Sequence, residues 1–451
     1  MTIGDKPINA DKVQQLQESL HAKADPQRVP ESPGFRFYAL YDKVYRLDVL
    51  RAAYRRCRDN DGAPGIDRQE FDEVEEYGLE RWLCEIAEEL RTKTYRPQAV
   101  RRVWIPKPDG KQRPLGVPTI KDRVVQTALR LILDPIFEAD LQPEQYAYRA
   151  ERSALDAVSA VHRWVCYGHT EVVDADLSGY FDTIPHVELM LSLARRISDK
   201  AVLHLIKMWL EAPVEETNKR GHVQRTTVNK DTGRGSPQGS PISPLFANLY
   251  MRRFILGWKT LGHEQALQAK IVNYADDFVI LCRGTADKAM QAMRDMMAKL
   301  KLTVNEKKTR LCRLPEETFD FLGYTIGPFW SRNKRRMVLG TRPSLKAVKK
   351  AKAKISELLS RNRTLLDEAA VVTRLNRGLQ GWANFFCRGP VSTAYRNIDL
   401  HTRQLFRKWL VAKHKKTGRG INQYPDAYLF EELGLLRLTS LRTRQLRGRI
   451  A

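Results

Sequence analysis

Long apolar segments are missing from this 451-residue chain. No apolar run approaches the roughly 18 residues that a membrane-spanning helix needs. Residues 1–25 are polar and carry Asp5, Asp11 and Glu18, which fits neither a secretory signal nor an acid-poor transit peptide. We therefore expect a cytoplasmic protein with no membrane partner.

Cysteine is also scarce, and its pattern excludes a zinc-binding module. The six cysteines form no C-x-x-C pair, and the nine histidines do not cluster with them. Scattered cysteines of this kind are typical of reduced core residues in a cytosolic protein.

Acidic residues are few relative to basic ones. The chain has 53 Asp and Glu against 77 Lys and Arg, a net charge of +24. This excess implies a polyanionic partner, with nucleic acid favoured over an anionic membrane surface. The length and the 42% hydrophobic content suffice for about two or three domains with real cores.

Two short stretches place acidic residues where strands end. Residues 271–279 (IVNYADDFV) put Asp276 and Asp277 at the expected tip of a hairpin whose strands are apolar. A second strand-like run precedes Asp176 and Asp182. An isolated Asp-Asp pair is most often a solvated turn. Carboxylates from two separate segments, however, can converge on two metal ions about 3.5–4 Å apart, as phosphoryl transfer requires.

Other segments have clear local patterns. A hairpin is expected over 103–117, and a basic hairpin or loop near nucleic acid over 214–234. Helices are expected over 122–139 and 286–301, a short strand over 321–326 and a small nucleic-acid-binding helix at 433–439. In the first hairpin Lys107 and Arg113 face each other and could hold a triphosphate, unless the hairpin is merely solvated. Residues 235–245 are a tight Gly- and Pro-rich path with Gln238 at its centre.

These motifs, in this order, resemble the reverse transcriptase/maturases of group II introns. The resemblance covers about residues 55–415. Tyr274 to Asp277 is similar to the family's catalytic box, Asp176 to Asp182 to its first metal motif and Pro237-Gln238-Gly239 to its P-Q-G motif. Residues 374–386 look like its maturase domain. In that domain, Trp382, Phe385 and Phe386 would pack in the core between helices.

The resemblance implies an α+β protein. It has a right-hand polymerase fold, with fingers and palm followed by an α-helical thumb/maturase domain. The expected domains are an N-terminal extension with the first reverse-transcriptase motif (1–95), fingers and palm (96–330), the thumb/maturase or X domain (331–415) and a short basic nucleic-acid-binding segment (416–451).

The resemblance also implies the site residues. Asp176, Asp276 and the carbonyl of Leu177 would hold two Mg²⁺, and Asp277 would complete the acidic patch. The dNTP-binding residues would be Lys107, Arg113, Phe181, Gln238 and Leu177. Phe181 would lie beneath the ribose, unless it is only a core residue. The primer grip would be Leu322, Gly323 and Tyr324. Lys346, Lys349, Lys350 and Lys354 would form the RNA-binding face of a helix.

The expected activity is RNA-directed DNA polymerisation in a bacterial, nucleoid-associated ribonucleoprotein. Its partners would be group II intron RNA, an RNA template with a DNA primer, dNTPs and target DNA, and it would assist splicing and retrohoming. Residues 421–451 contain neither His nor Cys, so we expect no HNH-type nuclease there. Two alternatives stay open: an intron-independent reverse transcriptase serving defence or repair, and a splicing cofactor whose polymerase site is vestigial.

Overall fold

The structure is a computed structural model that describes residues 10–25, 34–106, 112–217, 222–331 and 335–441. Helices and strands are both abundant, which agrees with the predicted α+β class. Within the described ranges, each helix is too short or too polar to cross a membrane.

The helices are named in chain order. They are α1 (Ala10–Ala24), α2 (Tyr41–Val44), α3 (Leu47–Asp59), α4 (Phe71–Arg91), α5 (Ile120–Glu138), α6 (Ala154–Cys166), α7 (Tyr180–Thr183), α8 (His186–Ala194), α9 (Lys200–Leu210), α10 (Val228–Thr232), α11 (Ser243–Thr260), α12 (His263–Ala266), α13 (Ala286–Lys299), α14 (Leu345–Leu358), α15 (Glu368–Phe385) and α16 (Ser392–Lys413). A 3₁₀ turn at Arg361–Arg363 and a π-helical turn at Tyr428–Glu432 add to these.

The strands are named in the same way. They are β1 (Val100–Pro106), β2 (Gln112–Val117), β3 (Glu171–Asp176), β4 (Val214–Thr217), β5 (Val223–Thr226), β6 (Lys270–Tyr274), β7 (Asp277–Cys282), β8 (Arg310–Arg313), β9 (Phe319–Phe321), β10 (Tyr324–Ser331) and β11 (Arg336–Pro343).

Three sheets are formed, with strand orders β2-β1-β4-β5, β6-β7-β3-β8 and β11-β10-β9. In the first, β1 and β2 are the predicted antiparallel hairpin, in which Ile105 pairs with Arg113. The turn of this hairpin, with Lys107, lies outside the described residues. β4 runs parallel to β1 and forms the second predicted hairpin with β5.

The chain divides into two compact units. The first unit comprises Met1–Ser153, Ala175–Ile280 and Asp287–Arg310, and the second comprises Ala154–Asp174, Leu281–Ala286 and Leu311–Ala451. Each of them is interrupted in sequence, so neither unit coincides with a single continuous segment of the chain.

The core of the first unit is built around α5. The predicted apolar stripe of this helix, Val125, Leu129, Ile132 and Ile136, is fully buried. The burial extends to most of the remaining helix surface, so α5 is a central helix rather than a surface one. The side chain of Thr119 caps its N-terminus by accepting a hydrogen bond from the backbone N–H of Asp122.

The core of the second unit is formed by α14, α15 and α16 together with the chain that follows them. Its buried residues include Ile355, Leu379, Phe406 and Trp409. Phe386 is also buried in this unit and Trp382 packs against its core, as predicted from the sequence.

The helix predicted over 433–439 is wrong for most of its length, because helical conformation begins only at residue 438. Residues 434–437 have no regular secondary structure, and Leu435 and Leu438 are buried in the core of the second unit. The side chain of Asn376 donates to the carbonyl of Gly434 and accepts from the backbone N–H of Leu436. Burial of Leu435 and the two hydrogen bonds to Asn376 outweigh the helical pattern over 434–437.

A buried hydrogen-bond network joins the start of α5 to the chain that leaves α4. The hydroxyl of Tyr95 donates to the carboxylate of Asp122 at 2.6 Å and accepts from the indole N–H of Trp209 at 3.1 Å. The same carboxylate accepts from the hydroxyl of Thr119 at 2.8 Å and the backbone N–H of Gln98 at 3.1 Å. Burial raises the pKa of Asp122, and the three hydrogen bonds to its carboxylate oppose that rise only in part.

We expect Tyr95→Phe to destabilise the first unit by about 1–3 kcal/mol, because it removes a donor from a buried carboxylate. Denaturant unfolding measures the change. Tyr77→Phe is the matched control, because its hydroxyl donates to Glu85 at an exposed site. Equal stability of the two variants would contradict the role of this network.

Candidate active site

The adjacent acids lie on the predicted hairpin. β6 and β7 are joined by a turn of only two residues, Ala275 and Asp276, and Asp277 begins β7. Ala275 has a φ of +58°, a left-handed conformation that costs a non-glycine residue about 1–2 kcal/mol. Asp276 is half-buried and Asp277 is exposed, so the two carboxylates have different surroundings.

Buried side-chain amides hold this turn. Asn273 is fully buried, and its side chain donates to the carbonyl of Ala275 at 2.8 Å. Its backbone N–H donates to the carbonyl of Glu144, and its carbonyl accepts from the backbone N–H of Tyr146. Sequence reasoning missed Asn273 as a supporting residue, although a lone Asn inside an apolar strand is a signal for one.

Two more buried amides extend this support to α11. Gln145 donates through Nε2 to the carbonyl of Asn248 at 2.8 Å, and the side chain of Asn248 donates to the carbonyl of Ala147 at 2.8 Å. Gln145 also pairs with Asn273 in an isolated β-bridge. The strained turn is therefore fixed by a connected set of hydrogen bonds at its base.

Asp176 ends β3, the neighbour of β7 in the sheet. Its carboxylate accepts from the side chain of Asn305 at 2.7 Å and from Lys308 Nζ at 3.2 Å. Its backbone carbonyl accepts from the N–H of Asn305 at 2.8 Å. The segment containing Asn305 and Lys308 was not predicted to contribute, although two adjacent lysines follow an amphipathic helix there.

The backbone of Leu177 is oriented by the same segment. Leu177 pairs with Val304 in an antiparallel bridge whose hydrogen bonds are made by the flanking residues, Asp176 and Ser178. In such a pair the residue's own carbonyl points away from the partner strand. The carbonyl of Leu177 is therefore directed away from residues 303–305.

The pKa values of two tyrosines are shifted by charges from separate segments. Burial raises the pKa of Tyr148, and the charges of Asp276 and Asp277 raise it further while Arg113 lowers it. Burial also raises the pKa of Tyr180, in the first turn after β3, and Asp276 contributes to that rise. Asp276, Asp277, Arg113 and the end of β3 thus share one electrostatic environment.

A cavity of about 720 Å³ in the first unit brings three predicted nucleotide-binding residues together. Arg113, Phe181 and Gln238 all line it, as does Tyr148. Arg113 Nε donates to the side-chain oxygen of Gln238 at 2.7 Å. Phe181 is 5% exposed and lines the cavity. The lining also includes three arginines that sequence reasoning missed: Arg56, Arg123 and Arg130.

The loop carrying Gln238 passes very close to β2. The carbonyl of Gln238 accepts from the backbone N–H of Gly116 at 2.5 Å. Gly239 has a φ of +108°, and a Cβ there would lie 2.5 Å from the carbonyl oxygen of Gly116. Only glycine fits this position, because any other residue would push the loop away from the strand.

In the second unit, the predicted primer-grip residues form a hairpin turn rather than one continuous strand. Leu322 and Gly323 connect β9 to β10, with φ values of +48° and +81°. A two-residue hairpin turn often needs positive φ at both positions, which explains Gly323. Tyr324 is fully buried, and its hydroxyl donates to the carbonyl of Phe385 at 2.5 Å.

The four predicted RNA-binding lysines share one face of α14. All are exposed, whereas Val348 and Ile355 on the opposite face are buried. Lys346 Nζ lies 3.4 Å from the carboxylate of Asp320, but the Lys346 side chain is 89% exposed, so this ion pair contributes little to stability. The exposed set is Lys346, Lys349, Lys350 and Lys354.

Comparison with known proteins identifies two successive domains. A model of the reverse transcriptase (RNA-dependent DNA polymerase) family matches residues 105–326, and one of the group II intron maturase-specific domain matches residues 348–424. Protein YkfC of Escherichia coli K12 is 31% identical over 361 residues, covering 70% of this chain and 90% of YkfC. The chain belongs to the group II intron reverse transcriptase/maturase family.

Further similar proteins of this family are longer. The group II intron-encoded protein LtrA of Lactococcus lactis is 31% identical over 285 residues, which cover 62% of this chain and 45% of LtrA. The nuclear intron maturase 2 of Arabidopsis thaliana mitochondria is 30% identical over 127 residues, 26% of this chain and 17% of that protein. This reverse transcriptase therefore matches less than half the length of either protein.

Among solved structures, one chain of a partial Cas6-RT-Cas1--Cas2 complex aligns with a TM-score of 0.33 and 21% identity. The alignment covers 57% of this chain and 42% of that chain. This TM-score is too low to bear on the fold.

Members of the reverse transcriptase family use divalent metals, and the donors found here fit Mg²⁺ in type. The carboxylates and the Leu177 carbonyl offer oxygen ligands, which Mg²⁺ prefers. Among the residues that the structure describes, no three His, Cys, Asp or Glu side chains form a metal-holding cluster. One or two carboxylates suffice when substrate phosphates and water complete the coordination.

We expect Gly239→Ala to lower primer extension by this reverse transcriptase about 10- to 100-fold. The added Cβ must displace the loop that carries Gln238, and displacements near 1 Å at a reaction site cost about this much. Gly34→Ala is the control, because a Cβ added at Gly34 would meet no other atom within 4 Å and the φ of Gly34 is not positive. Extension equal to that of the control would contradict the close approach.

Proposed function

We propose that the protein is the RNA-directed DNA polymerase of a group II intron and that it also binds the intron RNA to assist splicing and retrohoming. One observation carries the polymerase proposal. The charges of Asp276, Asp277 and Arg113 all act on Tyr148, and Tyr148 lines the same cavity as Gln238 and Phe181. The neighbouring strand ends in the third carboxylate, Asp176.

The metal proposal distinguishes the groups that would hold the ions from a carboxylate that lies beside them. Asp176, Asp276 and the Leu177 carbonyl would hold two Mg²⁺, with Asp277 completing the acidic patch. When bound, the ions lower the pKa of the primer 3′-hydroxyl and neutralise the triphosphate. Asn305 and Lys308 keep the carboxylate of Asp176 oriented at the end of β3.

The remaining residues bind the nucleotide. Arg113 presents a planar fork that suits phosphate oxygens, and its bond to Gln238 keeps the guanidinium in place. Phe181 would lie beneath the ribose and collide with a 2′-hydroxyl. Lys107 is proposed for the same phosphates, on the sequence resemblance alone.

The maturase function is proposed for the second unit. Residues 331–415 would form the helical thumb/maturase domain, with the α14 lysines binding RNA phosphates and the Leu322–Tyr324 turn gripping the primer. The basic segment 416–451 would bind nucleic acid beside it. Fingers and palm would occupy 96–330, and the N-terminal extension 1–95. The expected RNA partner follows from the maturase-specific domain at 348–424.

We expect Asp276→Ala to lower primer extension by orders of magnitude while RNA binding stays nearly unchanged. The substitution removes a metal-holding carboxylate and leaves the basic surfaces intact. The assay supplies an RNA template, an annealed DNA primer, dNTPs and Mg²⁺. Asp42→Ala, at an exposed position of the same unit, is the control. Undiminished extension by Asp276→Ala would refute the assignment.

We expect joint replacement of the four α14 lysines by Gln to flatten the dependence of log RNA affinity on log salt. Each lysine that neutralises a phosphate releases counterions, so its removal lowers the slope. The control replaces four exposed lysines of the first unit by Gln: Lys93, Lys200, Lys207 and Lys299. If the slope of the α14 variant equals that of wild type, these lysines form only a solvated face.

A further inference from the structure

The first unit has a second cavity, of about 580 Å³, that shares no lining residue with the cavity lined by Arg113, Phe181 and Gln238. It lies between the end of α8 and the middle of α11, with Asp140 on its wall. Four arginines line it: Arg195, Arg196, Arg252 and Arg253.

Asp140 lines this cavity and the backbone carbonyl of Glu188 contacts Arg253, and the carboxylates of both residues already have cationic partners. Asp140 Oδ2 lies 3.1 Å from Arg196 Nε, and Arg196 also donates to the carbonyl of Ala24 at 2.6 Å. Arg196 is 3% exposed, so this pair is part of the core. Glu188, on α8, pairs with Lys301 at 2.5 Å. Each of these two carboxylates is therefore already paired with one cation.

Three arginines remain without an acidic partner in ion-pair contact. Arg252 donates through Nε to the backbone carbonyl of Asp140 at 2.6 Å, and Arg253 donates to the backbone carbonyl of Glu188 at 2.9 Å. Within the described ranges, no carboxylate forms an ion pair with Arg195, Arg252 or Arg253. Arg253 also donates to the hydroxyl of Ser192 at 3.3 Å. These contacts leave further guanidinium N–H groups of Arg252 and Arg253 for a ligand.

Positive charge gathered in this way is unfavourable without an anion. Burial lowers the pKa of Arg252, and the nearby charges of Arg195 and Arg196 lower it further, against a rise from Asp140. Arg252 and Arg253 are half-buried and Arg195 is exposed at the cavity edge. A solvated surface patch would not show this desolvation, and partly buried like charges need a counter-charge.

We propose that this cavity binds phosphate groups of a nucleic-acid backbone. Planar guanidinium forks match phosphate oxygens, and three of them can hold neighbouring phosphates of one strand. Exposed Leu191 and the adjacent Leu256 offer apolar surface to the sugars between those phosphates. The site is separate from the α14 lysines, and it requires nucleic-acid binding but not polymerase activity.

The test compares wild type with the triple variant Arg195→Gln, Arg252→Gln and Arg253→Gln. The first measurement is the affinity for a single-stranded RNA as a function of salt. Each phosphate contact contributes a slope of about 0.7 for single strands, so we expect the slope to fall by about 2. The matched control removes three arginines already paired with carboxylates in the same unit: Arg81, Arg91 and Arg294.

The second measurement is calorimetric binding of inorganic pyrophosphate, which separates a free phosphate ligand from a strand. If the slope of log RNA affinity against log salt falls more in the triple variant than in the control variant, backbone binding is supported. An unchanged RNA slope combined with pyrophosphate binding by wild type alone overturns backbone binding in favour of a phosphate site that serves a free ligand. An unchanged slope without pyrophosphate binding overturns the proposal altogether. Asp276→Ala should lose primer extension while its dependence of RNA affinity on salt stays at the wild-type value, which keeps the two proposals distinguishable.

Discussion

The buried side-chain amides of Gln145, Asn248 and Asn273 are the interaction on which the candidate active site depends. They fix a two-residue turn in which Ala275 adopts an unfavourable left-handed conformation. Because the turn is this short, Asp276 and Asp277 both lie at the end of two buried strands. The hydrogen bonds and the burial of β6 and β7 together offset the strain at Ala275, so the carboxylates are held before any ligand arrives.

The local elements of the site were predictable from the sequence because each has a strong short-range pattern. The β6–β7 hairpin, the β1–β2 hairpin and α5 follow from apolar periodicity and turn residues. Arg113, Phe181 and Gln238 come from separate segments, yet the family motifs predicted that they act together, and the structure places them around one cavity. Their binding role stays a prediction.

Contacts made through tertiary packing could not be predicted from the sequence. Asn305 and Lys308 reach Asp176 from a segment whose own pattern indicates only the end of a helix. The Leu322–Gly323 turn was missed because Leu is an unusual residue at positive φ. The spacing of Leu435 and Leu438 fits an amphipathic helix equally well. Both leucines are buried in the core of the second unit, but residues 434–437 have no regular secondary structure.

We propose that the incoming nucleotide occupies the cavity lined by Arg113, Gln238 and Phe181. The most direct measurement is the ratio of ribonucleotide to deoxyribonucleotide incorporation by Phe181→Val on one template. Because Phe181 forms part of the cavity wall, the smaller side chain should admit the 2′-hydroxyl and raise this ratio. An active Phe181→Val enzyme with the wild-type ratio would contradict the placement of the nucleotide in this cavity.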